Sequence, residues 1–545
     1  MMDFTQHVAT RLKRLLTPQA EPIPGSTQVP NSAGGYAWPV TRWVRLDRFL
    51  VLGSERGTFY ITERALTRQN AAVLFECLTE DGPRVVRRIV EVSTAGRAPS
   101  NDPALFALAV AASVGDPATK ALAFAALPLV ARTATHLFHW LQYLKGFRGW
   151  GRGVRRAVGA WYTAKPATAV AYQVLKYRSR DGWAHRDALR LAHPKAPSVA
   201  HDVVFRYATR QWEGVLGLAG VDDLEVVRLI EAVEALPHQA PADAARTIVE
   251  HGLTREMVPT PLLTHPEVWA ALLERMPLTA LVRNLGVMSK VGLLVPFAGA
   301  TRTVVSRLTD EAALRAARIH PLAVLAALRT YAQGHAMRGE STWQPVAQVV
   351  DALDRAFYLS FGNAPASGKR VMLALDVSGS MAAPVAGLPY LSCREASAAM
   401  ALVTAATEPH HLFTAFTAMT GFRAGEAGLS TLALSPRMRL DDVVKRITGL
   451  AFGATDCALP MLAARKQRRP VDLFVVYTDS ETWAGRVHPS QALRQYREAT
   501  GIPARLAVVA MASNGFSIAD PDDAGMLDVV GFDTATPGVL AQFAA

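Results

Sequence analysis

The densest chemistry in the chain lies at residues 371–381, V-M-L-A-L-D-V-S-G-S-M. A short apolar run that ends in Asp-x-Ser-x-Ser predicts a buried strand presenting oxygen donors at its tip. Asp376, Ser378 and Ser380 would share one loop, and Gly379 lets the backbone turn tightly between the serines. Oxygen donors of mixed charge suit a hard divalent cation, Mg²⁺ first, with Mn²⁺ or Ca²⁺ as substitutes. Two later segments offer further donors: Thr455, next to Asp456 in F-G-A-T-D-C, and Asp479, which ends the apolar run L-F-V-V-Y-T-D. A plain helix cap would account for Asp and Ser after a strand. It would not account for Thr455 and Asp479.

Bringing these loops together requires strands laid side by side. Apolar strands at 371–375, 412–416, 473–477 and 506–511 alternate with helical stretches at 392–407, 441–448, 458–465 and 489–498. That alternation predicts a doubly wound, Rossmann-like parallel sheet, whose ligands sit at the carboxyl ends of the strands. The donor set resembles the metal-ion-dependent adhesion site of von Willebrand factor A domains, with Asp-x-Ser-x-Ser, a distant Thr and a distant Asp in order.

The rest of the chain reads differently. Apolar residues recur at three and four positions over 71–77, 84–92, 104–114, 119–131, 136–144, 154–162 and 167–175. They do so again near 224–234, 242–251, 267–273, 279–285, 297–308 and 321–333, with Pro or Gly in many gaps. Successive short antiparallel helices without strands predict an α-solenoid of paired helices, although no sequence period is visible. The Pro-rich start predicts a loosely ordered leader over 1–27, and turn formers at 361–369 mark the boundary between a helical domain (28–362) and the A-like domain (363–545).

The formal net charge of +12 is unevenly placed. Residues 365–545 hold 16 Lys and Arg against 16 Asp and Glu, so the excess belongs to the helical part. Within it, residues 132–210 carry 15 basic side chains against Asp181, Asp187 and Asp202. A solvated helical face would explain a basic run. Interleaved aromatics, among them Trp150, Trp161 and Trp183, instead suit a single-stranded polyanion that is neutralised and stacked upon. The three cysteines are widely separated, and no apolar leader precedes a cleavage site, so a reducing cytoplasmic setting is expected. The Ala-rich stretch 104–131 is broken by Asp116, Pro117 and Lys120, and reads as two helices that do not span a membrane.

The order of a basic helical part and an A-like part resembles the Ro autoantigen (TROVE) family. Supporting stretches are Q-V-P-N-S-A-G-G-Y (28–36), R-L-D-R-F-L-V-L-G-S-E-R-G-T-F-Y (45–60), R-T-A-T-H-L-F (132–138), R-G-W-G-R (148–152) and D-G-W-A-H-R-D-A-L-R-L (181–191). The resemblance implies a ring of HEAT-like helical hairpins closed by the A domain. It also implies misfolded RNAs entering the hole by single-stranded 3′ ends, Y RNAs on the outer basic surface, and cooperation with a 3′ exoribonuclease in RNA quality control. It places RNA contact at His185 within W-A-H-R-D, where Ala184 departs from the family's usual Ser or Thr. Lys176, Arg178, Arg180 and Arg186 share that basic segment; Arg148, Arg152, Arg155 and Arg156 form a second.

Each residue has a plainer reading. His185 could be a hydrogen-bonded structural histidine, Trp150 and Trp183 could be core, and His136 with His139, lacking a third zinc ligand nearby, reads as two helix-face histidines. The leading expectation is a monomeric, non-catalytic RNA scaffold with a divalent cation and with no DNA or membrane partner. Its rival is an Mg²⁺-dependent nuclease or phosphoesterase using Asp376, Asp456 and Asp479, which lacks an evident general base. An adhesion or chelatase-type subunit would not need the basic region, and no P-loop is present.

Overall fold

The computed structural model describes residues 16–53, 71–215, 218, 220–221, 224–317, 319–336, 339–360, 366–385, 388–417, 428–436, 438–449, 453–512, 514–531 and 533–545. The helical part begins at Arg42–Leu52, capped by the Thr41 hydroxyl, which accepts from the Val44 N–H, and ended by Gly53 at φ +81°. Such a cap supplies one of the amide partners a helix start lacks, and glycine adopts the left-handed exit without a Cβ clash. The two apolar segments expected over 71–92 are one helix, Ala72–Ala95, broken at Asp81 (φ −151°, ψ +81°) ahead of Pro83. Proline has no N–H and crowds the preceding turn, so the helix kinks there; Asp81 then recaps the second half by accepting from Arg84 N–H at 2.9 Å.

Asp102–Val114 is buried around most of its circumference. Pro117–Val130, Ala134–Lys145, Arg152–Thr163, Ala167–Lys176, His185–Ala192 and Val199–Arg210 continue the array, each packed on a near neighbour in the chain. The path goes on through Glu225–Ala235, Pro241–His251, Pro266–Arg275, Leu278–Lys290, Gly299–Leu308 and Glu311–Ala317 to Pro321–Ala332 and Ala347–Leu359. None of the described helices is long and apolar enough to cross a membrane. The stretch expected to form two Ala-rich helices over 104–131 does so, turning at Asp116, whose carboxylate accepts from Thr119 N–H at 2.6 Å.

The C-terminal part holds a six-stranded sheet. Its order is Met526–Val530, Arg505–Ala510, Leu473–Thr478, Val371–Asp376, His411–Phe416 and Leu429–Thr431, the first five parallel and the last antiparallel. Val371–Asp376 and Leu473–Thr478 are buried along their whole length. That is why their sequences are unbroken apolar runs. The four expected strands are present to within a residue or two. Met526–Val530, interrupted by Asp528, and the three-residue edge Leu429–Thr431 were not expected.

The leader is the main correction to the sequence reading. Residues 1–15 lie outside the described residues, but from Thr17 onward the chain is pinned to the A domain. Thr17 N–H donates to Gln491 Oε1 (3.1 Å), and Gln19 Nε2 donates to Asp456 Oδ1 (2.7 Å) and to the Val487 carbonyl (2.8 Å). Asn31 Nδ2 reaches the Thr482 carbonyl at 2.7 Å. Tyr36–Pro39 pairs antiparallel with Phe516–Ser517. At Gly35 a Cβ would lie 1.9 Å from the Thr482 carbonyl oxygen, so only glycine allows this approach. Prolines exclude helix here, but buried polar side chains hold the segment, and composition does not reveal such partners.

Both ends of the helical array meet the A domain. At the start, Arg48 is fully buried; its Nη2 binds Asp528 at 2.7 Å, and its Nη1 donates to the carbonyls of Asn514 (2.8 Å) and Phe516 (3.0 Å). Arg97 Nε sits 3.0 Å from both carboxylate oxygens of Asp533. At the far end Arg329 Nη1 donates to Glu395 at 2.8 Å, and Arg439 pairs with Asp351. The helices and the A domain therefore form a closed ring.

Removing one partner of a buried, hydrogen-bonded pair leaves the other uncompensated. Arg48→Ala should thus cost about 3–5 kcal/mol in denaturant unfolding. Arg48→Lys should recover little, because one ammonium cannot span these acceptors as a guanidinium does. A loss below about 1 kcal/mol in Arg48→Ala would show that the ring does not rest on this contact.

Candidate metal centre and nucleic-acid interface

The sheet register brings the acidic tips together. Leu375 lies opposite Tyr477, so Asp376 ends its strand beside Thr478, whose hydroxyl donates to Asp376 Oδ2 at 2.6 Å. Asp376 Oδ1 accepts from Ser378 N–H at 2.9 Å, and the Ser378 and Ser380 hydroxyl oxygens are 3.1 Å apart. The loop of Thr455 is stitched to both others. Gly379 N–H donates to the Gly453 carbonyl (3.2 Å), while Trp483 and Ala484 N–H donate to the Thr455 carbonyl (3.2 and 3.0 Å). Asp376, Ser378, Ser380, Thr455 and Asp479 are all buried.

Burial dominates the electrostatics of this cluster. Burial, then the charges of Asp376 and Glu481, push the Asp479 carboxyl up to about 8. Burial also raises Asp376. Asp479 Oδ1 accepts from Glu481 N–H at 3.1 Å, whereas its buried Oδ2 has no hydrogen-bond partner. Two desolvated carboxylates, neighbouring serine hydroxyls and a buried carboxylate oxygen without a hydrogen-bond partner are donors of the type that suits a hard divalent ion. Asp456 is turned elsewhere: its Oδ1 accepts from Gln19 Nε2 and from Ala458 N–H (3.0 Å), and burial raises its carboxyl to about 6.

On the helical part, Arg152, Arg155 and Arg156 stand on one exposed face of Arg152–Thr163, whose opposite face buries Val154, Val158, Trp161 and Tyr162. None of the three pairs with an acidic residue among the described residues. The helix start has no side-chain cap and no acidic residue in its first turn. Three like charges at the positive end of a helix oppose each other and the helix dipole, an arrangement that a bound anion would relieve. With His193 and Lys195 they line a cleft of about 480 Å³. His193 and Lys195 escaped the sequence reading; they flank a proline just after a helix, where His193 takes φ +48°.

A second cleft, about 260 Å³, is lined by Arg178, His185, Arg186, Tyr207 and Gln211. The eight-residue helix His185–Ala192 joins the two. Arg186 lies at its start in one cleft and Ala192 at its end in the other, a rise of roughly 9 Å at 1.5 Å per residue.

Several expected RNA contacts are placed otherwise. His185 is buried, its Nδ1 2.8 Å from the Tyr162 hydroxyl and its Nε2 3.3 Å from the Gln173 carbonyl, and its ring meets Phe138 edge-on. Both ring nitrogens are thus occupied within the protein, and the plainer reading of a structural histidine describes it. Arg148 Nη1 donates to the Ala112 carbonyl at 2.8 Å and its guanidinium lies over Phe124. Lys176 sits between the rings of Tyr172 and Tyr177, 3.9 Å from Glu256. Arg178, Arg180 and Arg186 are exposed. Trp150 and Trp183 stack on each other at 6.0 Å, half-buried, and Trp150 Nε1 donates to the Leu191 carbonyl. His139 pairs with Asp181 at 2.6 Å, and burial lowers His136 to about 4.

A helical array whose two ends meet an A-type sheet with hydroxyl and carboxylate side chains at its strand tips, together with an arginine cluster free of acidic partners among the described residues, defines a ring protein closed by an A domain. The chain belongs to the TROVE family. The TROVE domain model matches residues 29–217 and 231–369, and that of the Ro60 vWA domain matches 370–544. A Deinococcus radiodurans protein named "RNA-binding protein RO60" is 43% identical over 531 residues, covering 97% of each chain. A Caenorhabditis elegans protein of the same name is 35% identical over 589 residues, covering 95% of this chain and 90% of that one. The crystal structure of the Deinococcus radiodurans Ro (Rsr) protein superposes with a TM-score of 0.70, covering 92% of this chain and 99% of that one at 43% identity.

Burial holds His185, like His136, at about 4, below its ordinary value near 6.5. A depressed folded value means the folded state binds fewer protons than the unfolded state. The stability that these neutral rings contribute is therefore complete above pH 6.5 and is lost as pH falls towards 4. His185→Gln, which can keep both hydrogen bonds, should flatten the fall in unfolding free energy between pH 6.5 and pH 4. An unchanged slope would place the acid sensitivity elsewhere.

Proposed function

We propose that this protein is a non-catalytic scaffold for RNA. It would hold Y-like small RNAs and misfolded RNAs with single-stranded 3′ ends during quality control, beside a 3′ exoribonuclease partner. The observation that carries this reading is the cleft of Arg152, Arg155, Arg156, His193 and Lys195, whose arginines have no acidic partner within the described residues. Phosphate contacts of this kind hold a strand without reading its bases. Arg178 and Arg186 extend the track, and His185 acts as a positioning residue at the floor of the second cleft. The family resemblance and the names of the two relatives support RNA as the ligand; the Y-RNA and exoribonuclease parts rest on the resemblance.

Asp376, Ser378, Ser380, Thr455 and Asp479 would hold Mg²⁺, or Mn²⁺ or Ca²⁺ in its place. Such an ion would neutralise the buried carboxylates and offer an open position to an acidic group of a partner. The nuclease alternative needs Asp456 as a third carboxylate. In the structure Asp456 anchors Gln19 and the start of Leu459–Lys466, which favours the scaffold.

The triple variant Arg152→Ala, Arg155→Ala, Arg156→Ala should weaken binding to single-stranded RNA. Its log–log salt dependence should fall by up to about 2 units, at roughly 0.7 per lost phosphate contact. An unchanged slope would put the RNA elsewhere. Mg²⁺ should raise the melting temperature of the native chain and should fail to do so in Asp376→Ala, which should retain RNA affinity. Cation stabilisation that survives in Asp376→Ala would remove the site. The purified protein with Mg²⁺ should leave RNA intact, and turnover abolished by Asp376→Ala would establish the nuclease.

A further inference from the structure

Among the described residues, the most exposed large apolar side chain is Phe297, at 76% of full exposure, and it is the one aromatic in that group. Its backbone is also unusual. Phe297 takes φ +65°, in the left-handed region that a Cβ-bearing aromatic residue disfavours. The conformation is held from both sides: Phe297 N–H donates to Gln348 Oε1 at 3.0 Å, and Arg302 Nη1 donates to the Phe297 carbonyl at 2.6 Å. The adjoining turn is fixed as well, the Thr301 hydroxyl donating to the Val295 carbonyl at 2.7 Å. A glycine at this position would carry no such strain, and a polar residue would not expose a ring to water. The fold thus maintains a costly conformation that stands an aromatic ring outward on a rigid support.

The surroundings say what the ring would meet. Val295 beside it is also exposed, and Lys290 and Arg302, both exposed, lie on either side in the chain. Phe297 lies two residues before the helix Gly299–Leu308, whose N-terminus has no side-chain cap and no acidic residue in its first turn. A flat apolar ring whose own carbonyl holds the Arg302 guanidinium, close to an uncapped helix N-terminus, matches a nucleobase joined to its phosphate.

We propose that Phe297 is a base-stacking platform for single-stranded RNA, a contact separate from the arginine-lined cleft. The inference rests on the reading of the protein as an RNA scaffold. It assigns to the far end of the helical array a contact whose stacking part is sequence-tolerant and carries no charge, complementing the electrostatic track on Arg152–Thr163.

Phe297→Gly tests it cleanly, because glycine accepts the positive φ and folding should be unharmed or improved. With a single-stranded RNA 20-mer carrying one 2-aminopurine, binding to Phe297→Gly should be weaker by roughly five- to a hundredfold. Its salt slope should equal that of the native chain, and Phe297→Trp should bind at least as tightly as the native chain. The quenching of 2-aminopurine on binding should also diminish in Phe297→Gly. Affinity within twofold of the native chain, with the melting temperature unchanged, would overturn the proposal, and so would a loss of melting temperature accounting for the weaker binding. The triple arginine variant is measured on the same RNA. If it alone loses affinity, only the Phe297 inference fails; if neither variant loses affinity, the RNA reading fails with it.

Discussion

The architecture turns on one buried guanidinium. Arg48 lies on the first described helix of the array, yet all its partners belong to the last third of the chain: Asn514, Phe516 and Asp528. A charge taken out of water is tolerated only where its hydrogen bonds are met, so this contact specifies one arrangement of the two parts. Arg97 with Asp533 repeats the device, and Arg329 with Glu395 secures the opposite end. Ring closure is therefore a property of specific charged pairs. Apolar packing holds each part together but says little about how the parts face each other.

The A domain shows how a closed ring bears on the cation site. Gln19 Nε2 reaches across to Asp456, next to Thr455, and Gln19 Oε1 accepts from the Thr482 hydroxyl, near Asp479. Ala33 N–H donates to Glu481, one of the charges that raises Asp479. The chain segment that begins the helical part thus touches two of the three loops that would hold the ion. Gly485 allows this proximity, since a Cβ there would lie 2.3 Å from Gln19 Nε2. The loops proposed to hold the ion and the ring geometry share one set of buried polar contacts.

On the helical part, charge and burial divide the work. Arginines at three- and four-residue spacing stay outside because the same helix buries its other face. Arg148 and Lys176 have equally basic sequence surroundings but are held by a carbonyl, by ring faces and by Glu256. The difference between a ligand-facing cation and a structural one lies in what the neighbouring helices bring against it.

The sequence by itself determined the periodic helices and four of the strands, because each depends on local spacing: 3.6 residues for a buried helix face, and unbroken apolar runs for strands covered on both sides. The motif Asp-x-Ser-x-Ser is legible because its donors share one loop. The kink at Pro83 follows from proline's missing N–H, although reading it as one helix required the packing. Tertiary structure alone decided the rest. Met526–Val530 contains Asp528, which reads as a strand only once Arg48 neutralises it. Residues 17–31 look like loose leader until Gln491, Asp456 and Thr482 appear opposite them. His185 carries a motif that suggests a ligand, but Tyr162 and the Gln173 carbonyl occupy both of its nitrogens. Local spacing records which faces are apolar; long-range partners, which no spacing encodes, settle which polar groups remain free to act.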